Sequence, residues 1–344
     1  MTEKRELNIE QKRIESLRLY GHPQKHYVRE NGWLEIAKKR TQTLNKKRAL
    51  RYFTLCGLPA YDIKTFAKEG ILEKGGTGYD STFFCERDDT IIEEISRKVS
   101  PNYWNGTFEA FVKSIEDNRE QREKLRKLNL FPFDIYNLDF TGSCIPSKEA
   151  PYSKILEALT RLIDLNRREK QNFDLFLTFR AKKTEDNKNA VQQLKNLLEK
   201  NCNDYPNAKK ILETIHGNIS KLLSNYENFI TITIPKYLLK KAEDLNYVMD
   251  IYPSYKYKRV SGKSGEYYIA NIILSFKYFH RHRGNRNTRL DEPTASDQIH
   301  RLYYPTSIEK IFNNKIIDVD KEFKNNPNLK KTFEKKIREI EEYE

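Results

Sequence analysis

An apolar stretch that ends at an acid and a glycine turn is the feature that most constrains the fold of this sequence. In residues 133–144, an apolar and aromatic-rich run stops at Asp139 and continues into a short turn around Gly142. The pattern predicts a buried strand that presents the Asp139 carboxylate at the end of a sheet.

Two earlier stretches repeat this pattern. Residues 49–55 form an apolar run that is followed by a turn at Gly57, and residues 81–86 form another that ends on Glu86. A helical spacing of apolar residues follows each of them. Strands that alternate with helices are typical of an open parallel sheet, and such sheets bind ligands at the carboxyl ends of their strands.

The pattern also predicts a short extended piece at residues 103–108, a further strand at residues 173–180, and two more at 247–259 and 267–278 that are joined as an antiparallel hairpin. Residues 229–235 alternate like a strand but run directly into a helical pattern, so their type stays open. The sequence therefore predicts an α/β fold with a doubly wound, mostly parallel sheet and a C-terminal antiparallel hairpin.

The charge pattern divides the chain into segments. Residues 1–48 are polar, basic and helical in tendency, and residues 49–283 contain the predicted strands. Within that domain, residues 187–226 are charged and helical and are long enough to be an insertion. Residues 284–344 are predicted to be a polar tail with a terminal helix.

The chain of 344 residues carries a formal net charge of +14. This excess favours a polyanionic partner, DNA or RNA first, because cations that neutralise phosphates release counterions. The alternative is that a Lys- and Asn-rich composition only keeps the protein in solution. A protein partner is a further possibility, bound through residues 187–226 or the C-terminal helix.

Two basic clusters are the candidate nucleic-acid-binding sites. In the second, aromatic residues alternate with basic ones, as on nucleic-acid-binding surfaces, although a solvated strand exit would show the same pattern. The candidate residues are Lys46, Lys47, Arg48, Arg281, Arg283, Arg286 and Arg289.

Other features set limits on the class of protein. We find no signal-peptide pattern and no apolar run near the roughly 20 residues needed to cross a bilayer, so we expect a cytoplasmic protein without a membrane partner. The four cysteines lack the spacing of a zinc site. His280 and His282 have no acidic or cysteine partners at ligand spacing, so no metal site is predicted.

The order of five strand–helix units followed by an antiparallel hairpin resembles that of the class I, Rossmann-like S-adenosylmethionine-dependent methyltransferases. The resemblance covers roughly residues 49–280. It implies that Leu55, Cys56 and Gly57, in the loop after the first strand, approach the amino-acid moiety of S-adenosylmethionine. It also implies that Glu86 binds the ribose hydroxyls of that cofactor, since a carboxylate accepts two hydrogen bonds.

The same family often carries an acid-led motif after its fourth strand, and Asp139 with Phe140 is similar to it. In enzymes that methylate the exocyclic nitrogens of bases, the resemblance implies that Asp139 holds the target amine and that Phe140 stacks on the base. The implied activity is methyl transfer to a base nitrogen of a nucleic acid. The acid that contacts the adenine in this family matches either Thr107 or Glu109.

The chain also departs from that family. Its first loop has one glycine where the family usually has two or three, and the motif at Asp139 lacks the usual proline. Asp139 and Glu86 each also fit a simpler role as caps of the turn or helix that follows. Two possibilities remain: a divergent methyltransferase, or a catalytically inactive Rossmann-like scaffold that serves as a binding subunit.

Overall fold

The computed structural model describes residues 11, 14, 21–44, 48–76, 78–145, 154–182, 187–261, 265–280 and 294–343. The chain has the predicted α/β fold, Rossmann-like and doubly wound, with a nine-stranded mixed sheet. It divides into two compact units. The first combines the described residues up to Asp139 with those from Asp318 onwards, and the second comprises Phe140–Ile317.

The first unit contains four parallel strands in the order β3-β2-β1-β4. They are β1 (Tyr52–Thr54), β2 (Thr82–Glu86), β3 (Tyr103–Asn105) and β4 (Ile135–Asp139). Strand β1 is shorter than predicted. One reason is that the backbone N–H of Arg51 donates to the Asp134 carboxylate rather than to a strand carbonyl.

Helices connect these parallel strands, as the alternating pattern predicted. They are α3 (Tyr61–Lys68), α4 (Asp89–Lys98), α5 (Phe108–Asp117) and α6 (Arg119–Lys127). The apolar face of α5 packs on the sheet, where the Phe111 ring lies 5.0 Å from that of Phe53. Phe53 also contacts Phe83 and Phe133, with ring centroids 5.9 Å and 5.3 Å away. Each such pair contributes about 0.5 to 1.5 kcal/mol beyond area burial, which fixes β1 relative to β2 and β4.

Both terminal segments belong to this first unit. Near the N-terminus, α1 (Pro23–Val28), a π-helix (Arg29–Leu34) and α2 (Glu35–Thr43) follow one another without a break. Near the C-terminus lie α14 (Val319–Asn325) and α15 (Pro327–Glu341).

The predicted polar tail is instead divided between both units, and Phe312, Val319 and Ile340 are buried in it. The reason is that its helices are amphipathic, with one apolar face each. The predicted terminal helix is present as α15.

In the second unit, the long strand β8 (Gly265–Tyr278) pairs antiparallel with three others. These are β5 (Phe173–Ala181), β6 (Tyr247–Ile251) and β7 (Ser254–Ser261). The β7–β8 hairpin was predicted, but residues 247–259 are two strands rather than one. They separate at Pro253, which has no N–H to donate to a ladder. The short β9 (Ile316–Asp318) follows β7 in the strand order.

The helices of the second unit include the predicted insertion. They are α7 (Lys154–Arg168), α8 (Lys188–Asp204), α9 (Pro206–His216), α10 (Ile219–Ser224), α11 (Tyr226–Asp244), α12 (Ala295–Leu302) and α13 (Tyr304–Phe312). Residues 229–235, whose type was open, lie within α11 and are all buried. A helix that is buried on every side needs no polar stripe, so its sequence also fits a strand. None of the helices within the described residues has the length and hydropathy that a bilayer crossing requires.

Candidate functional site

The strand order of the first unit creates a crevice between β1 and β4. The chain runs from β1 outwards through β2 to β3 and then returns to β4 on the other side of β1. Connections therefore leave β1 and β4 in opposite directions, and open α/β sheets bind their ligands at the carboxyl ends of two such strands.

A small cavity lies at this crevice. Its volume is about 10 Å³, which is about the space of one water molecule. Gly57 and Asp139 both line it, so the loop after β1 and the end of β4 meet as predicted. The remaining lining residues are Arg29, Trp33, Leu55, Cys56, Tyr61 and Asp62.

Lys25, on α1, provides the partner of Asp139. Its amine donates a hydrogen bond to the Asp139 carboxylate, and the two side chains are 4% and 10% exposed. Burial lowers the pKa of Lys25 to about 8, although Asp139 acts to raise it. The acid at the end of β4 is therefore already bound to a cation of the same chain.

The π-helix that follows α1 places two more large side chains at the crevice. Arg29 is buried, and its guanidinium carbon lies 5.1 Å from the centre of the Tyr61 ring. Trp33 is one of the largest fully buried side chains of the chain. The wider turn of a π-helix is rare and often occurs at functional sites. Here it helps to fill the crevice.

The C-terminal helix α15 holds this N-terminal segment in place. Tyr61 packs against Ile337 and Ile340, and its hydroxyl donates to Glu341. Lys336 pairs with Glu30 of the π-helix. The Phe333 ring lies 5.3 Å from that of Tyr27. The residues that close the crevice are therefore packed against α15 in the core of the first unit.

A second carboxylate, Asp62, also lines the cavity, and its Oδ2 is hydrogen-bonded to the sheet. It accepts hydrogen bonds from the Tyr52 hydroxyl at 2.7 Å, the Thr54 hydroxyl at 2.5 Å and the Asn137 amide at 3.0 Å. Burial raises the pKa of the Cys56 thiol well above its ordinary value, and Asp62 raises it further. Cys56 is therefore a neutral thiol at physiological pH, so it is poorly suited to act as a nucleophile.

Comparison with known proteins gives one match to a family, described as PP_RS20740-like, over residues 108–340. That is more than half of the chain. The chain belongs to the PP_RS20740-like family. The matched residues of this family member include Asp139, the whole second unit and most of α15, whereas Lys25 and Gly57 lie outside them. No curated protein matches the chain. The family description states no activity, so membership assigns none.

Two of the residues predicted for the site do not line the cavity of this PP_RS20740-like chain. Glu86 ends β2, and its carboxylate accepts hydrogen bonds from the backbone N–H groups of Arg87 and Asp88 at 2.6 Å and 3.0 Å. This geometry closes a local turn, whereas the N-cap of α4 is Asp88, whose carboxylate accepts from the backbone N–H groups of Thr90 and Ile91. Phe140 belongs to the second unit, where its backbone N–H donates to the Thr178 carbonyl.

The predicted basic residues fall into two groups. Arg48 forms a two-pronged pair with the buried carboxylate of Asp134, at 2.5 Å and 2.6 Å, which gives it a structural role. The others lie outside the described residues, namely Lys46, Lys47, Arg281, Arg283, Arg286 and Arg289.

The crevice does not fit S-adenosylmethionine. Pockets for ligands of this size measure about 300 Å³ or more, far above the 10 Å³ between these residues. The Asp139 carboxylate, which would have to accept the target amine, is bound to Lys25.

Sequence reasoning missed Lys25, Arg29, Trp33 and Asp62. The first three recur at four-residue spacing in a helical segment, which is the signal that they share one face. For Asp62, the signal is that its partners Tyr52 and Thr54 are polar residues on one face of an otherwise apolar strand.

Proposed function

We propose that this protein is a non-catalytic, Rossmann-like binding protein whose partner is a nucleic acid. The observation that supports it is the Lys25–Asp139 ion pair, which neutralises the acid of the crevice where related folds hold a cofactor. Breaking a buried ion pair costs about 3 to 5 kcal/mol, so a cofactor would have to offset that cost before binding. In this proposal the residues of the crevice stabilise the fold, and the nucleic acid binds to other surfaces of the protein.

We propose a nucleic acid as the partner because of the positive net charge of the chain. The net charge of +14 is large for a chain of 344 residues, and a polyanion is the partner that gains most from it. Some of the basic residues near the N-terminus are already paired, as Lys38 is with Glu69 and Arg48 with Asp134. We therefore place the main contact on the arginines between residues 281 and 289.

Fluorescence anisotropy with labelled single- and double-stranded DNA and RNA tests this partner. We expect binding that weakens steeply with salt. Replacing Arg281, Arg283, Arg286 and Arg289 with Gln should weaken it for every sequence. It should also reduce the slope of log K against log salt by up to about 3 to 4, since each neutralised phosphate contributes about 0.9.

A matched control removes four charges elsewhere. Lys195, Lys209, Lys330 and Lys335 are each paired with a glutamate one helical turn away, and their replacement with Gln gives the same net charge. We expect this control to bind more like the wild type than like the arginine variant. Equal binding by wild type and arginine variant would rule out the proposed surface.

A nucleic-acid methyltransferase is the second candidate. It is favoured by the meeting of Gly57 and Asp139 at the carboxyl edge of the sheet, as in the family that the sequence resembles. That candidate requires S-adenosylmethionine to bind, whereas a binding protein does not. Calorimetry with the cofactor separates the two.

A further inference from the structure

A much larger cavity lies entirely within the second unit, with a volume of about 390 Å³. Helices α8, α11, α12 and α13 contribute its walls. Pockets for small ligands generally measure about 300 to 1,000 Å³, so this cavity has the capacity to hold one.

Helix α11 forms one wall of the cavity. Its lining residues recur at intervals of three and four, the spacing of one helical face, and they are Thr233, Lys236, Tyr237, Lys240 and Lys241. On α8, Leu194, Leu197 and Leu198 recur at the same spacing and give an apolar wall. One helix therefore presents amines and an aromatic ring, and the other presents leucines.

The leucine wall remains partly open to solvent. Leu197 is 48% exposed although it lines the cavity. Tyr205 and Tyr237 are half-buried beside it, and both rings line the same space. Leucine and tyrosine surfaces of this kind bind a flat aromatic group, because such a group buries apolar area and stacks on the rings.

Lys236 is the main charged group of the cavity. Its side chain is buried, and its amine donates to the Tyr304 hydroxyl at 2.7 Å. Among the described residues, no carboxylate lies within ion-pair distance of this amine. Burial lowers the pKa of Lys236 to about 8. Glu243 and Asp204 act to raise this pKa, but a buried ammonium without a carboxylate at ion-pair distance is still costly, and an anion in the cavity would reduce that cost.

The neighbouring charges are also mostly positive. Lys200 and Lys241 line the cavity, and neither pairs with a carboxylate in the described part of the chain. Lys240 is neutralised by Glu243 and Asp244 at 3.0 Å and 2.9 Å, and Glu243 also binds His300. Asp204 is the carboxylate that lines the cavity. Lys200, Lys236 and Lys241 thus form no ion pair within the described part of the chain, although Glu243 and Asp204 act on the Lys236 amine from beyond ion-pair distance.

We infer that this cavity of the second unit binds a mononucleotide, with the phosphate on Lys236 and its neighbouring lysines and the base against Leu197 and the tyrosines. A phosphate monoester carries a charge of about −1.5 to −2 at neutral pH, which suits more than one amine, whereas a carboxylate carries one. Lysine also binds phosphate well as a point charge. The inference is separate from the proposed function, since none of the crevice residues lines this cavity and the nucleotide contacts are assigned without the arginines between residues 281 and 289.

Isothermal titration calorimetry of the full-length chain with AMP, GMP, CMP and UMP tests the inference. We expect saturable binding of at least one nucleotide, at one site per chain. Adenosine and inorganic phosphate are the control ligands, and each should bind at least about tenfold more weakly, because each provides half of the contacts.

Two variants locate the site. Lys236→Met gives an uncharged buried side chain of nearly the same length and removes the hydrogen bond to Tyr304. Leu197→Glu places a negative charge at the exposed mouth. Each should weaken nucleotide binding about tenfold or more, whereas Lys210→Met, an exposed lysine on α9 outside the cavity, should not. Binding of none of the four nucleotides, unchanged affinity in Lys236→Met, or phosphate binding as tight as nucleotide binding would each overturn the inference.

Discussion

The Lys25 amine and the Asp139 carboxylate form an ion pair at the carboxyl end of β4, and both side chains are at least nine-tenths buried. The acid that the sequence identifies as the centre of a site is therefore neutralised by a residue of the N-terminal helix. This pair affects the free energy of unfolding and its dependence on pH, and the packing of α15 stabilises the N-terminal segment that carries Lys25.

Asp139→Asn should destabilise the chain by about 3 to 5 kcal/mol, because it leaves the Lys25 amine buried without its counter-charge. The double variant Lys25→Met with Asp139→Leu removes both charges and should lose much less, on the order of 1 kcal/mol. Urea unfolding measures both values. The exposed pair of Lys38 and Glu69 is the control, and Lys38→Ala should cost less than about 1 kcal/mol. Equal losses for the single and double variants would show that the pair is not coupled.

The titration of Lys25 gives a pH dependence. Its pKa is about 8 in the folded chain and near the ordinary 10.5 in the unfolded chain. Between these values the unfolded chain holds more protons, so the contribution of Lys25 to the free energy of unfolding rises with pH. Below pH 8 its penalty is fully present, and above 10.5 it no longer changes.

The double variant Lys25→Met with Asp139→Leu lacks this titration and is the reference for that measurement. The difference in unfolding free energy between wild type and this variant should shift in favour of the wild type from pH 8 to 10.5, by about 2 to 4 kcal/mol. Lys236 has a similarly lowered pKa but is present in both proteins, so its effect cancels. A constant difference across this range would contradict the burial of a charged Lys25.

Asp62→Ala should destabilise the first unit by about 2 to 4 kcal/mol. It leaves the buried donors of Tyr52, Thr54 and Asn137 without their shared acceptor. Asp62→Asn keeps one acceptor oxygen and should cost less. As a control, Asp117→Ala on the exposed side of α5 should stay within about 0.5 kcal/mol. A loss for Asp62→Ala as small as that of the control would mean that the three donors find other acceptors.

Ile340→Ala tests how α15 supports the N-terminal segment through Tyr61 of α3, whose ring lies against Arg29. Ile340 is buried against Tyr61, so its truncation should cost about 2 to 4 kcal/mol. Hydrogen exchange should also become faster in Pro23–Leu34, because α15 stabilises that segment. Lys331→Ala, on the exposed face of the same helix, should change neither. Unchanged exchange in Ile340→Ala would show that the N-terminal segment is stable without α15.

Much of the sheet was predictable because its signals are local. The strands at Thr82–Glu86 and Ile135–Asp139 are apolar runs that stop at an acid, and β7 and β8 are separated by a short polar turn. The type of residues 229–235 stayed open because a fully buried helix carries no polar stripe. Local periodicity does not distinguish a fully buried helix from a buried strand.

The site was less predictable because its key contact is not local. The sequence indicated that Gly57 and Asp139 would meet, since both follow parallel strands of one sheet. It did not indicate that Lys25, 114 positions from Asp139, would pair with the Asp139 carboxylate. A lysine in a basic, polar helix has the same local pattern whether it is solvated or buried, and only the packing of α15 and the π-helix decides between the two.

The most direct test of the central claim is calorimetric titration of the full-length chain with S-adenosylmethionine and with S-adenosylhomocysteine. Circular dichroism and a cooperative unfolding transition would first establish that the sample is folded. Because the crevice holds a cavity of only about 10 Å³ and Asp139 is paired with Lys25, we expect no saturable heat with either ligand. Saturable binding at one site per chain, lost when Gly57 is replaced by Val, would contradict the account and favour a methyltransferase.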